Sequence, residues 1–237
     1  MKHEYPKFGL VMSVYKNTNI KFFQQSISSI ITQDLDLYEK IIVIDGPINL
    51  ELEEEISRLK SKNFLSIKLP HNLGLGEALR RGVNACSTDY IFRMDDDDIN
   101  CEGRFKIQAE FSITHPEVSV IGGQIAEFDD ERPEHVYLRS CPTNTQNIKK
   151  MMRHRNAVNH VTCLFKKQDI LECGNYKSNT PGFEDYELWM RMLKSGKEIV
   201  NLDQVLVKVR FSQNQYKKRF GIVPTINEAK MQWMFYK

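Results

Sequence analysis

Apolar runs alternate with helix-spaced segments through the first hundred residues, and that alternation limits the fold more than any other feature of the sequence. "FGLVMSVY" (8–15) is continuously apolar, the pattern of a strand covered on both faces. "NTNIKFFQQSISSIITQ" follows, with Ile20, Phe23, Ile27, Ile30 and Ile31 at helical spacing. "KIIVIDG" (40–46), "FLSIKLP" and "DYIFRMD" repeat the strand pattern, with "LELEEEISRLKSK" and "GEALRRGVNACS" as the helices between them. Strand and helix in strict succession predict an α/β fold with a mostly parallel sheet flanked by helices.

Beyond residue 117 the pattern changes. "VSVIGGQIAEF", "EHVYLRS" and "HVTCLFKK" read as short strands, and "TQNIKKMMRHR" and "EDYELWMRMLKSG" as helices, which predicts a smaller mixed region on the same sheet. Nothing in the sequence resembles a linker or a repeat. Ligands of open α/β sheets sit beyond the carboxyl ends of the strands. "SVYKN", "IDG", "HNLGLG" and "DDDD" each follow a strand, so four loops are expected to meet at one crevice.

With 237 residues, 41% of them hydrophobic, the chain can bury one large core, and its net charge of +2 points to no nucleic-acid partner. Cys86, Cys101, Cys141, Cys163 and Cys173 form no CxxC pair, so reduced thiols filling the core are expected rather than a disulfide framework or a zinc site. The N-terminal "MKHEYPKFGLVMSVYKN" lacks a signal-peptide pattern, and no run of about 18 apolar residues occurs. A cytoplasmic protein is the expectation.

"RMDDDDIN" (93–100) crowds four carboxylates at the end of a strand, where each resists ionising beside the others unless a cation is shared. If the run stays extended, Asp95 and Asp97 point one way and Asp96 and Asp98 the other. Two carboxylates on one side make a hard oxygen site for Mg²⁺ or Mn²⁺, with open positions for substrate phosphates. A solvated turn capping the next helix is the plain alternative. An EF-hand fails, because the twelfth position counted from Asp98 is Ala109 rather than Glu.

"VMSVYKN", "VIDG", "NLGLGEALRRGV", "YIFRMDDDDI" with "RFKIQ", and "GFEDYELWMRM" stand in the order and approximate spacing of family 2 glycosyltransferases of GT-A fold. The chain most resembles small bacterial enzymes that build O-antigen, capsule and exopolysaccharide, over about residues 8 to 212. The resemblance implies an inverting transfer of one sugar from a nucleotide-diphosphate sugar, UDP-linked by preference, to a saccharide or lipid-linked saccharide. It implies that Ser13, Val14 and Tyr15 line the nucleoside pocket, that Asp45 contacts the base, and that Asn72, Gly74 and Arg81 serve the diphosphate. "VIDGPIN" has one acid where many relatives have two. Asp95 and Asp97 match the DxD pattern, with Asp97 as the direct metal ligand and Asp95 beside it, while Asp96 is the alternative contact for the ribose hydroxyl.

The resemblance further implies that Asn156, His160 and Thr162 face the acceptor, and that Asp185 in "FEDYELW" is the catalytic base with Glu184 supporting it. It divides one domain into a nucleotide-sugar half (1–125), an acceptor and catalytic half (126–212) and a C-terminal extension (213–237). Two rival readings stay open. A nucleotidyltransferase would carry a glycine-rich basic stretch after the first strand, and "SVYKNTN" contains no glycine. A catalytically silent carbohydrate-binding or scaffold protein would have no need of intact "DDDD" and "ED" motifs. Lys217, Lys218 and Arg219, ahead of Met231, Trp233, Met234 and Phe235, form a candidate peripheral contact with the inner membrane face, against a plain closing helix.

Overall fold

A computed structural model describes residues 5–130 and 132–211. β1 (Phe8–Val14) leads to α1 (Ile20–Ile31), β2 (Glu39–Ile44), α2 (Leu50–Arg58), β3 (Phe64–Lys68), α3 (Leu75–Ala85) and β4 (Tyr90–Met94). A two-residue β5 (Ile99–Asn100) and α4 (Arg104–Thr114) follow, then β6 (Val118–Asp129), β7 (Arg132–Arg139), α5 (Thr145–Met151), β8 (Leu164–Lys166), α6 (Lys167–Glu172), α7 (Glu184–Lys194) and β9 (Glu198–Arg210). Among the described residues these nine strands form one sheet, in the order β3-β2-β1-β4-β8-β6-β9-β5, with β7 paired outside β6.

β1 and β2 are mostly apolar because both of their faces are covered, whereas β3 leaves Leu65, Ser66 and Lys68 exposed. Leu10, Met12 and Val14 of β1, with Ile42 and Ile44 of β2, pack under α1, α2 and α4 against Phe23, Ile27, Leu52, Ile56 and Phe105. Val11, Ile41 and Val43 face the other way, onto Leu79 and Val83 of α3 and Leu188 and Trp189 of α7. Successive side chains serve opposite cores, which keeps β1 apolar except at Ser13, partly buried near its end. Asn19 starts α1 by accepting from the Phe22 N–H, and Asn49 does the same for Leu52 at α2.

β1, β2, β3 and β4 pair in parallel, as expected. From β1 the chain steps outward through β2 and β3, then returns to place β4 on the other flank of β1. That reversal opens a crevice beyond the carboxyl ends of β1 and β4. The second half joins through β8, which is antiparallel to both β4 and β6. Because β8 runs backwards, the residues just before it lie at the crevice end of the sheet. "HVTCLFKK" is therefore divided, with a 3₁₀ turn over His160–Thr162 ahead of the three-residue strand.

β6 extends from Val118 to Asp129, across residue 125, and pairs in parallel with β9 through three register shifts. Cys86, Cys141 and Cys163 are buried, and all five cysteines are free thiols. No helix among the described residues is long and apolar enough to cross a membrane. The segment 213–237, with its basic and aromatic cluster, lies outside the described residues.

Candidate active site

The acid run does not continue as a strand. Backbone pairing of β4 ends at Met94 and residues 95–98 bend before β5 resumes, which corrects the expectation of two carboxylates on each side. Each acid meets its own partner instead. Arg93, only 3% exposed, grips Asp95 with both arms of its guanidinium, Nη1 to Oδ2 at 2.6 Å and Nη2 to Oδ1 at 2.5 Å. Thr18 donates its hydroxyl to Asp96. The Arg210 backbone N–H donates to Asp98 at 2.8 Å, and the Arg210 Nε donates to the Asp97 carbonyl at 3.0 Å. Arg210 is fixed in turn over the Phe22 ring, 3.9 Å from its centre.

Two arginines do not neutralise four crowded carboxylates, of which Asp98 is buried and the other three partly so. Burial, with the charges of Asp97 and Asp95 adding to it, pushes Asp96 up to about 7 despite the Thr18 hydrogen bond. Burial followed by repulsion from Asp95 raises Asp97, and Asp98 is raised well above the carboxylate range for the same two reasons. The turn is short of positive charge. Its donor set is all oxygen and suits a hard divalent cation that takes most of its ligands from substrate and water. Both Asp95 oxygens are already held by Arg93, so Asp97 is the carboxylate left open to such an ion. Among the described residues no group of three His, Cys, Asp or Glu side chains could hold one unaided.

Across the crevice, α7 begins at Glu184, and its first turn carries Glu184, Asp185 and Glu187. Asn156 donates its amide to Asp185 Oδ2 at 2.6 Å, while its own oxygen accepts from the Val158 N–H at 3.1 Å. Burial raises Asp185 above the usual carboxylate value, against the Tyr186 N–H and Asn156, which favour the ionised form. Glu184 is raised by burial as well. The outcome is a carboxylate oriented by an amide and more basic than an exposed aspartate.

His160 Nε2 lies 2.7 Å from the Tyr176 hydroxyl. Burial and the Arg93 charge push its pKa well below the usual value, so the imidazole is neutral. Asp95, Asp97, Asn156, His160, Glu184 and Asp185 thus share one crevice of about 310 Å³, together with Arg93, Arg139 and Arg210. The two acidic motifs and the 156–160 segment, far apart in sequence, meet there.

Other expected site residues stand beside this crevice or away from it. Asp45 accepts from the Leu73 and Gly74 N–H groups at 2.7 and 3.0 Å, and Asn72 donates to the Asp45 carbonyl at 3.2 Å, so Asp45, Asn72 and Gly74 form one knot next to Leu75 on the crevice wall. Gly46 (φ +86°) lets the two loops touch, since a Cβ there would sit 2.5 Å from the Asn72 nitrogen. Ser13 is partly buried near the end of β1, and Tyr15 stands 41% exposed just past it.

Three more of the expected residues make contacts within the fold. The Val14 side chain lies fully in the core beneath α1, leaving only its backbone towards the loops. Arg81 bonds Glu77 one turn back along α3, at 2.7 Å. Thr162 is fully buried, accepting from the Gly123 N–H at 2.9 Å and donating to the Asn159 carbonyl at 2.7 Å, which makes it a brace between β6 and the 160–162 turn. Arg93 and Arg210 were not anticipated. A charged residue inside an otherwise apolar strand run was the available signal for Arg93. Arg210 gave none, because it acts on acids 112 positions away.

The sequence profile of glycosyl transferase family 2 matches residues 10–174. An uncharacterized glycosyltransferase of Haemophilus influenzae is 36% identical over 232 residues, covering 98% of this chain and 84% of its own. An Escherichia coli UDP-Gal:alpha-D-GlcNAc-diphosphoundecaprenol beta-1,3-galactosyltransferase is 34% identical, covering 100% and 86%. The amylovoran biosynthesis glycosyltransferase AmsE of Erwinia amylovora is 33% identical, covering 90% and 80%. Among solved structures, S. aureus TarS 1-349 in complex with UDP-GlcNAc superposes with a TM-score of 0.70 at 16% identity, over 87% of this chain and 59% of that longer one, a likeness of fold. The chain belongs to glycosyl transferase family 2.

Proposed function

We propose that this chain is an inverting glycosyltransferase that moves one sugar from a UDP-sugar to a lipid-linked saccharide in bacterial surface polysaccharide synthesis. The observation that carries the reading is Asp185, partly buried, raised in basicity and oriented by Asn156, in the same crevice as an acid turn short of cations. Asp185 takes the proton of an acceptor hydroxyl while that oxygen forms a bond to the anomeric carbon from the side opposite the nucleotide. The bond from that carbon to the diphosphate oxygen breaks, and UDP departs with the electron pair. Asn156 keeps one Asp185 oxygen occupied so that the other faces the acceptor, and Glu184 adds negative potential beside it. Arg93 holds Asp95 at the donor side. Asp97, with Asp95 nearby, would hold Mg²⁺ or Mn²⁺, which when bound supplies positive charge against that of the diphosphate.

The donor class is supported by the names of two neighbours, the E. coli enzyme that uses UDP-Gal and the TarS structure with UDP-GlcNAc, and a hexose or N-acetylhexosamine is the corresponding expectation here. The acceptor class is supported by the diphosphoundecaprenol-linked substrate in the E. coli enzyme's name. Incubating the chain with a panel of UDP-, GDP- and TDP-sugars and a diphosphate-lipid-linked N-acetylhexosamine should release UDP from one donor, with an acceptor one sugar heavier by mass spectrometry. Nucleotide release without acceptor growth, or transfer from a GDP- or TDP-sugar alone, contradicts the reading.

A further inference from the structure

From His135 to Gln168 the chain has no acidic residue and seven lysines and arginines, although the net charge of the whole is only +2. Fixed charge is therefore sorted onto one segment. Lys149 and Lys150 close α5, and Arg153 and Arg155 follow it, all four exposed. Among the described residues none of the four has a carboxylate partner at ion-pair distance. Asn156, the next residue, is the crevice residue that orients Asp185. Arg139 lies on the crevice wall, and both Arg139 and Arg155 act electrostatically on the buried Cys141 thiol. The basic segment thus borders the acceptor side of the crevice.

Next to it stands an apolar edge. Val136, Tyr137 and Leu138 of β7 are 52%, 63% and 71% exposed, and among the described residues β7 pairs with β6 alone. Consecutive strand residues point to opposite faces, so both faces of this strip are apolar and open. Three such residues in a row on an edge strand mark a contact surface rather than ordinary surface scatter.

We propose that the β7 edge and the 149–155 segment together dock on an anionic bilayer surface and bring the crevice mouth to lipid-linked acceptors. This rests on the reading that the acceptor is lipid-linked. The basic side chains meet anionic headgroups while Tyr137 and Leu138 enter the headgroup boundary, an arrangement that needs no membrane-spanning segment. It assigns membrane contact to the acceptor rim rather than to the Lys217–Arg219 cluster.

Co-sedimentation of the full chain with vesicles of phosphatidylglycerol and phosphatidylcholine, against phosphatidylcholine alone, tests it. The wild type should be retained on the anionic vesicles only. A Lys149→Gln, Lys150→Gln, Arg153→Gln, Arg155→Gln variant should lose retention by on the order of tenfold or more, with transfer to a water-soluble short-chain acceptor unchanged. A Tyr137→Ser, Leu138→Ser variant should also lose retention. Equal retention of the quadruple variant and the wild type overturns the proposal, as does loss of retention confined to a Lys217→Ala, Lys218→Ala, Arg219→Ala variant. Normal transfer to the soluble acceptor with unaltered vesicle retention removes the docking surface alone. Failure of transfer with every donor, while the quadruple variant still loses retention, removes the assigned chemistry and leaves the surface standing.

Discussion

Asp96→Asn should make the protein more stable at neutral pH and change little in acid. In the folded chain Asp96 titrates at about 7, driven up first by burial and then by Asp97 and Asp95. In the unfolded chain an aspartate titrates near 3.9. Between these values the folded state binds the extra proton, so wild-type stability falls as pH rises from about 4 to about 7 and stays low above it. The full shift of about three pKa units corresponds to about 4 kcal/mol. Water reaching the partly exposed turn reduces this, leaving about 1–3 kcal/mol relieved by the neutral amide at pH 8. Asn keeps an oxygen for the Thr18 hydroxyl, so the change isolates charge. For a chain of this size that is a rise in Tm of about 2 to 12 °C at pH 8 and close to none at pH 4. Differential scanning calorimetry of both proteins from pH 4 to 8, with chelator present, measures the gap. A variant no more stable than wild type at pH 8, or a gap that fails to narrow towards pH 4, refutes the electrostatic account of the turn.

Two further outcomes follow from packing. In Gly76→Ala the new Cβ would lie 2.3 Å from the Lys177 carbonyl oxygen and 2.9 Å from the Glu184 side chain; overpacking of this kind costs about 1–3 kcal/mol. Turnover should fall while UDP affinity by calorimetry is kept, because the disturbance enters at the start of α7 beside Asp185. Thr162→Val strands the Gly123 N–H and should cost about 1–3 kcal/mol in denaturant unfolding. Its acceptor KM should match wild type, whereas a direct acceptor contact would raise it.

Much of this was legible where local pattern and tertiary environment agree. The runs at 8–15 and 40–46 read as doubly covered strands because each of their faces meets a core. The acid run and the "ED" pair announced themselves because buried carboxylates need a chemical reason to be close together. What escaped depends on distant chain. The 95–98 turn bends because Thr18, Arg93 and Arg210 each draw one acid aside, and two of these three partners come from other elements. Thr162 looked available to a ligand because a threonine's sequence context does not reveal the backbone groups it will satisfy. β9 went unnoticed, since "NLDQ" interrupts its alternation where it slips register against β6.

The central claim is that the acid turn binds the donor and Asp185 performs the proton transfer. Calorimetry of UDP with Mn²⁺ alongside a turnover assay, on wild type, Asp97→Asn and Asp185→Asn, tests it most directly. Asp97→Asn should weaken UDP binding and turnover together. Asp185→Asn preserves shape and an oxygen but cannot take the proton, so it should keep near wild-type UDP affinity and lose on the order of 10² to 10⁴ in turnover. If Asp185→Asn retains more than about a tenth of wild-type turnover, or loses UDP affinity as severely as Asp97→Asn, the division of labour between the two acidic motifs is wrong.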